Sequence, residues 1–144
     1  MIARLKEIPD PSAMIRYISH LINCQYKWMA RVTGDPAAQQ LDWWEPQYTI
    51  DQLETEWSKS LQPWLDYIAA NTETQLMTEV QFVGFDGSLF AATPADIALQ
   101  LNYHSIHHRA QMQTMLREQG VSPGFIDYIG TRYRRVNQGG SQTD

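Results

Sequence analysis

The spacing of apolar and polar positions predicts a long helix near the start of the chain. Asp10-Pro11 combines a capping carboxylate with a proline at the first helical position, and Gly34 is a favourable stop. A helix is therefore predicted over residues 11–33. Its inward-facing arc runs through Met14, Ile18, Leu21, Gln25, Trp28 and Val32. Its polar face is predicted to carry Arg16, Asn23 and Lys27.

A second long helix is predicted after a loop over residues 35–48, which contains two prolines and an adjacent pair of tryptophans. Thr49 and Gln52 have the spacing of a capping box, and Asn71 is expected to end the helix. The predicted buried stripe consists of Leu53, Trp57, Leu61, Trp64, Leu65 and Ile68.

After the second helix, the pattern of apolar and polar residues repeats every two residues. Residues 76–92 alternate around Asp86-Gly87, a dipeptide that tolerates the positive φ angles of a tight two-residue turn, so a short β-hairpin is predicted there. Thr93-Pro94 begins a third long helix, which Gly120 is expected to end. The hairpin therefore lies directly before the last long helix.

The length of the chain and the pattern of its last residues predict the bounds of the domain. Ser122-Pro123 is expected to begin a short C-terminal helix that runs to about Tyr133. The chain has 144 residues, enough for one domain that buries a core without disulfide staples. We expect a single helical domain over residues 1–136 and a flexible polar tail over residues 137–144.

Composition excludes several classes of protein. The chain is 43% hydrophobic and 19% charged, which is typical of globular rather than disordered sequences. Its formal net charge of -5 argues against a nucleic-acid partner. No apolar run reaches the roughly 18 residues that span a bilayer, and the N-terminal residues lack a signal-peptide core. With Cys24 as the single cysteine, the sequence predicts a soluble, cytoplasmic protein with no membrane partner.

Histidines carry the candidate chemistry. His104 and His108 lie one turn apart on the third long helix, so their imidazoles point in the same direction with metal-chelating spacing. They share a stripe with Ile97, Leu101, Met112 and Met115, which predicts that both face the core. His107 is expected at the surface. From the residues alone, the pair is equally compatible with a metal site and with hydrogen-bonded packing.

A mononuclear site needs a third ligand, and two residues of the first helix are candidates. His20 is the only other histidine, and the helical wheel leaves open whether it faces inward or outward. Cys24 follows one turn later. It is a possible fourth ligand or a small core residue, as buried cysteines usually are.

Four segments carry a family resemblance when they are taken together. They are Tyr17-Ile18-Ser19-His20-Leu21 with Trp28, the Asp86-Gly87 hairpin, Asn102-x-His104-x-x-His107-His108-Arg109-x-Gln111, and Gly120-Val121-Ser122-Pro123 with Asp127. In this combination the chain resembles the DinB-like superfamily of damage-inducible four-helix-bundle proteins, over about residues 11–133.

The resemblance implies an all-α fold, an up-down-down-up four-helix bundle, with a core-facing triad that binds a divalent metal ion. The triad here is His20, His104 and His108. The ion is usually nickel or zinc, and iron also accepts imidazole ligands. Members with known activities include thiol-dependent S-transferases that use bacillithiol or mycothiol, and a mycothiol-dependent maleylpyruvate isomerase.

The resemblance therefore implies a metal-dependent thiol S-transferase with a low-molecular-weight thiol cosubstrate and a small-molecule substrate, acting in detoxification or the stress response. No acid is an obvious general base, which favours thiol transfer over hydrolysis. The alternatives are a non-catalytic stress protein that binds a metal or a small ligand, and a metal-dependent hydrolase. Tyr17, Trp28 and Ser105 are the candidate pocket residues from their helix positions.

The first helix of the bundle is abbreviated, because only residues 1–8 precede the predicted start at Asp10-Pro11. Part of an apolar face is then expected to stay open. Either the chain starts late, or a partner subunit or the loop with Trp43 and Trp44 covers this face, and homodimerisation is the natural prediction. The same two tryptophans are candidates for a pocket rim or a dimer contact.

Overall fold

The computed structural model describes residues 1–124, 128–132 and 134. It confirms an all-α fold with one small antiparallel hairpin. The α-helices are α1 (Ser12–Thr33), α2 (Leu53–Ala70), α3 (Glu73–Leu76) and α4 (Pro94–Glu118), and the strands are β1 (Val80–Val83) and β2 (Leu89–Ala92). Three 3₁₀ helices span Ile2–Glu7, Pro36–Gln39 and Tyr128–Thr131.

Two apolar clusters fix the directions of the long helices. Met14 at the start of α1 packs with Leu53 at the start of α2 and with Leu116 at the end of α4. Val32, at the other end of α1, packs with Trp64 of α2 and Ile97 near the start of α4. α2 therefore runs parallel to α1, and α4 runs antiparallel to it. This order matches the last three helices of an up-down-down-up bundle.

Before α1 the chain forms the short 3₁₀ helix Ile2–Glu7. Leu5 and Ile8 join the core cluster at the start of α1. Beyond them a groove lies between α2 and α4. It comprises two cavities, of about 530 and 330 Å³, which have Trp57 and Arg109 in common. We call it the α2–α4 groove.

The buried stripe that the sequence predicted for α2 is partly wrong. Leu61, Leu65 and Ile68 belong to the predicted buried stripe, yet they are 38%, 51% and 43% exposed. They line the α2–α4 groove, and within the described residues no α-helix packs over it. Trp64, also in the stripe, is 3% exposed because it packs against α1.

The start of α2 also differs from the prediction. The helix begins at Leu53, and Thr49 lies in a preceding turn. Only half of the predicted capping box forms there, since the Thr49 backbone N–H and hydroxyl both donate to the Gln52 side-chain oxygen. A complete capping box instead joins Thr72 and Gln75 and starts α3, a short helix that the sequence pattern did not predict.

A loop covers one face of α1 and buries a residue that was predicted to be exposed. Asn23 is only 4% exposed. Its side-chain nitrogen donates to the Pro46 carbonyl at 3.1 Å, and its oxygen accepts from the Tyr48 hydroxyl at 3.2 Å. The Tyr48 N–H donates to the Ser19 hydroxyl at 3.0 Å. Residues 40–48, named here the tryptophan loop, are therefore fixed on α1.

The hairpin has the predicted position but a longer connection. Val83 pairs with Leu89, so Asp86-Gly87 lies inside a five-residue connection rather than forming a two-residue turn. The Gly84 N–H donates to the Ser88 carbonyl at 2.8 Å and closes this loop. Gly87 has a φ of 82°, which explains the need for glycine there.

Where the structure describes the segment of the predicted C-terminal helix, it shows the 3₁₀ turn Tyr128–Thr131 and no regular structure over residues 121–124. The predicted polar tail and Asp127 lie outside the described residues. Among the helices of the described part of the chain, none combines the length and the apolar character that a membrane crossing requires.

Candidate metal centre

Three predicted site histidines meet where α4 packs against the middle of α1. The His20 ring centroid lies 5.1 Å from those of His104 and His108, and these two are 4.5 Å apart. The Nε2 atoms of His20 and His104 are 2.9 Å from each other. His20 and His108 are buried, whereas His104 is partly exposed. The wheel left the direction of His20 open, and packing turns it inward.

Hydrogen bonds at Nδ1 fix the orientation of the His20 and His108 rings. The Nδ1 of His20 lies 2.7 Å from the Trp43 carbonyl oxygen, which can only accept. His20 therefore carries its proton on Nδ1, and its Nε2 accepts from the Nε2–H of His104. The Nδ1 of His108 donates to the Gln111 side-chain oxygen at 2.7 Å. Such partners orient metal-binding imidazoles in proteins.

Aromatic rings enclose the histidines. The indole of Trp44 stacks on His20 with 3.9 Å between centroids and an interplanar angle of 15°. The ring of Tyr17, a candidate pocket residue, lies 4.9 Å from that of His108. The tryptophan loop therefore forms one wall of the site, and Trp44 contacts a candidate ligand directly.

A cavity of about 220 Å³ opens beside His20 and His104. It is also lined by Cys24, Trp28, Trp43, Gln100 and Leu101, so Trp28 lies where the sequence placed it. Ser105 does not. It lines the α2–α4 groove, because the next residue on a helix is rotated by about 100° from His104. Among the described residues that line the histidine cavity, none is acidic.

Cys24 lies beside His20 and His104. Its Sγ is 3.6 Å from Nε2 and 3.8 Å from Nδ1 of His20. The ligand atoms of His20, Cys24 and His104 all lie within 4.8 Å of one another. Burial raises the pKa of the Cys24 thiol to about 12, so without a nearby cation the sulfur stays protonated.

Burial keeps the imidazoles neutral. It lowers the pKa of His20, His104 and His108, because charging a desolvated ring is unfavourable. The pKa of His104 falls to about 4, with additional repulsion from the neighbouring histidines. A neutral imidazole is the form that binds metal ions. The donor set of neutral nitrogens and one sulfur therefore fits a divalent transition metal.

Two cations fix the tryptophan loop and the hairpin to α1. The Arg31 guanidinium lies 4.7 to 5.1 Å from the ring centroids of Trp28, Trp43 and Phe82, and it donates to the Val83 carbonyl at 3.1 Å. The Lys27 ammonium lies 4.8 Å from the Trp43 ring and donates to the Leu41 carbonyl. These contacts position Trp43, whose carbonyl holds His20.

Three groups act at the site in ways that the sequence did not predict. Gln111 follows His108 by three residues, a spacing that could have indicated contact on one helix face. Trp44 was a candidate for a rim or a dimer contact rather than for stacking on His20. The Trp43 carbonyl is a backbone atom, so the sequence holds no direct signal for it.

Comparison with known protein families identifies the family of the chain. A family model described as the DinB superfamily matches residues 3–112, which include His20, His104 and His108. No curated protein matches the chain, and no solved structure does.

Proposed function

The chain belongs to the DinB superfamily, and on that basis we propose that it is an enzyme that depends on a divalent metal ion held by His20, His104 and His108. One observation carries the proposal: the three rings converge with no more than 5.1 Å between any two centroids. Nickel and zinc are the preferred candidates, and iron is compatible with the same donors.

The proposed reaction is transfer of a low-molecular-weight thiol to a small electrophilic substrate, as in detoxification or a stress response. A metal ion bound by the three histidines would keep a coordinated thiol deprotonated at neutral pH. The chain itself would bind the substrates and exclude water. Trp28, Trp43 and Leu101 supply apolar walls to the 220 Å³ cavity, and Gln100 supplies an amide.

Two features favour thiol transfer over hydrolysis. No acidic residue lines the described part of the cavity, so a carboxylate general base for water is missing there. The aromatic walls also suit an apolar electrophile better than a highly charged one. A metal-dependent hydrolase and a non-catalytic binding protein are the outcomes that the assay must separate.

The test is a screen of low-molecular-weight thiols against a panel of electrophiles, with metal-free and metal-loaded protein compared. We expect consumption of the electrophile to require both the thiol and the metal. A metal-dependent rate that needs no thiol would indicate a hydrolase. The absence of a metal-dependent rate with any thiol, despite stoichiometric metal, would favour a non-catalytic binding protein.

We also propose that the protein forms a homodimer across the α2–α4 groove. Leu61, Leu65 and Ile68 present an apolar row along α2 that the N-terminal 3₁₀ helix does not reach. A second copy would remove this row from water, which is the main driving force for association.

Sedimentation at micromolar concentration tests the homodimer. We expect a dimer for the natural chain and a monomer for Leu65→Glu, since a charge buried in an apolar interface is costly. Phe85→Glu is the matched control, because Phe85 is 98% exposed at the hairpin tip, outside the groove. A monomeric natural chain would contradict the proposal, as would equal dissociation by both variants.

A further inference from the structure

We propose that Cys24 is a fourth ligand of the metal ion, so that the site offers three imidazole nitrogens and one sulfur. This inference rests on the proposed metal site and adds a residue to it. The sulfur faces the cavity beside His20 and His104.

The sulfur is close to His20 but not yet in a coordinating position. Zinc–nitrogen bonds of about 2.05 Å and zinc–sulfur bonds of about 2.3 Å, at a tetrahedral angle, place nitrogen and sulfur about 3.6 Å apart. The Cys24 Sγ lies 3.6 Å from His20 Nε2 and 3.8 Å from Nδ1, so it lies beside the ring, and its side chain would turn toward the Nε2 lone pair to share the ion. The Nε2 atoms of His20 and His104 are 2.9 Å apart, a hydrogen-bond distance. They would need to separate by only about 0.5 Å to reach the tetrahedral nitrogen–nitrogen spacing.

The position of Cys24 on α1 is well defined. It follows His20 by one helical turn, so both side chains leave the same face of α1. Both are buried, at 3% exposure for Cys24 and 6% for His20. A turn of the Cys24 side chain toward Nε2 would therefore let the two residues share an ion.

The surroundings of this cysteine are not purely apolar. Cys24 is one of the buried core residues, at 3% exposure. Its sulfur nevertheless lies against the two nitrogens of His20. A thiol in a purely apolar core has no such neighbours, whereas a metal ligand requires other donors beside it.

A sulfur ligand changes the chemistry of the site. Thiolate is a softer donor than imidazole, and together they favour zinc or cobalt over magnesium and calcium. The thiolate also places one negative charge against the cation. With four protein donors, a thiol cosubstrate would bind as a fifth ligand, an expansion that zinc accommodates, so the proposed thiol transfer is retained.

Cobalt(II) titration of the metal-free chain tests the proposal through absorption rather than activity. Cobalt bound to a thiolate gives a near-ultraviolet charge-transfer band that cobalt bound only to nitrogen and oxygen lacks. We expect this band to saturate at one equivalent of cobalt. The chain has one cysteine, so the band can arise from no other residue. Cys24→Ser is expected to bind cobalt through the histidines without the band.

The outcomes separate this inference from the proposed function. Bound cobalt without the band would overturn Cys24 ligation and leave the three-histidine site intact. Failure to bind any cobalt would overturn both. Should Cys24→Ser not fold, X-ray absorption of the zinc-loaded natural chain answers the same question. A sulfur scatterer at about 2.3 Å supports ligation, and a shell of only nitrogen and oxygen overturns it.

Discussion

Replacing His104 with alanine is expected to abolish stoichiometric metal binding. His104 provides the nitrogen that lies 2.9 Å from His20 Nε2 and the ring that lies 4.5 Å from that of His108. Loss of a residue that only orients a ligand typically weakens metal affinity by about 10- to 100-fold, and loss of the ligand itself should exceed that. Metal content after reconstitution and dialysis, on protein purified without a histidine tag, measures the effect.

His107→Ala is the matched control for this prediction. His107 is exposed, lies on the same helix, and its ring is 5.2 Å from that of His108. We expect the control to retain near-stoichiometric metal and the helical circular dichroism of the natural chain. A folded His104→Ala variant that still holds one equivalent of metal would contradict the site.

Acid is expected to destabilise the metal-free protein well before most carboxylates titrate. Burial lowers the pKa of His20, His104 and His108 below the ordinary value of 6.5. The unfolded chain then binds more protons than the folded chain once the pH falls below about 6.5. The free energy of unfolding therefore decreases as the pH falls from about 7, and for His104 it continues to decrease to about pH 4.

Thermal unfolding of metal-free protein between about pH 7 and pH 5 isolates the histidines, because Asp and Glu titrate mainly below that range. We expect the melting temperature to fall steadily across the interval. His104→Gln keeps a polar side chain that does not titrate, so its melting temperature should fall less. Equal slopes for the two proteins would show that His104 does not contribute.

Much of the fold could be predicted because its signals are local. The bounds of α1 lie within one residue of those expected from Asp10 and Gly34: the Asp10 carboxylate accepts the Ser12 N–H at 3.0 Å, although Pro11 rather than Asp10 is the N-cap residue, and Gly34 adopts a φ of 70°. The start of α4 follows from Thr93, whose hydroxyl accepts the Asp96 N–H at 3.0 Å. The closeness of His104 and His108 follows from helical spacing alone.

The predictions that were wrong or left open concern side chains whose exposure depends on contacts between distant segments of the chain. Asn23 was predicted to be exposed because it falls on the polar face of its helix, and the tryptophan loop buries it. Leu65 was predicted to be buried because the stripe on α2 is regular, but no helix lies over it within the described residues. The inward direction of His20 likewise depends on α4 and on a carbonyl of the loop. Periodicity within one segment contains none of this information.

The site joins residues that are far apart in the sequence, and this separation has a thermodynamic consequence. His20 and His104 are separated by 84 positions in the sequence. No single helix or hairpin can present both, so a chelated ion binds only the complete fold and its binding free energy adds to the stability of that fold. At a free metal concentration of 100 times the dissociation constant, this linkage is worth about 2.7 kcal/mol. Metal supply would then set how much of the protein survives heat and proteolysis in the cell, independently of any reaction it catalyses.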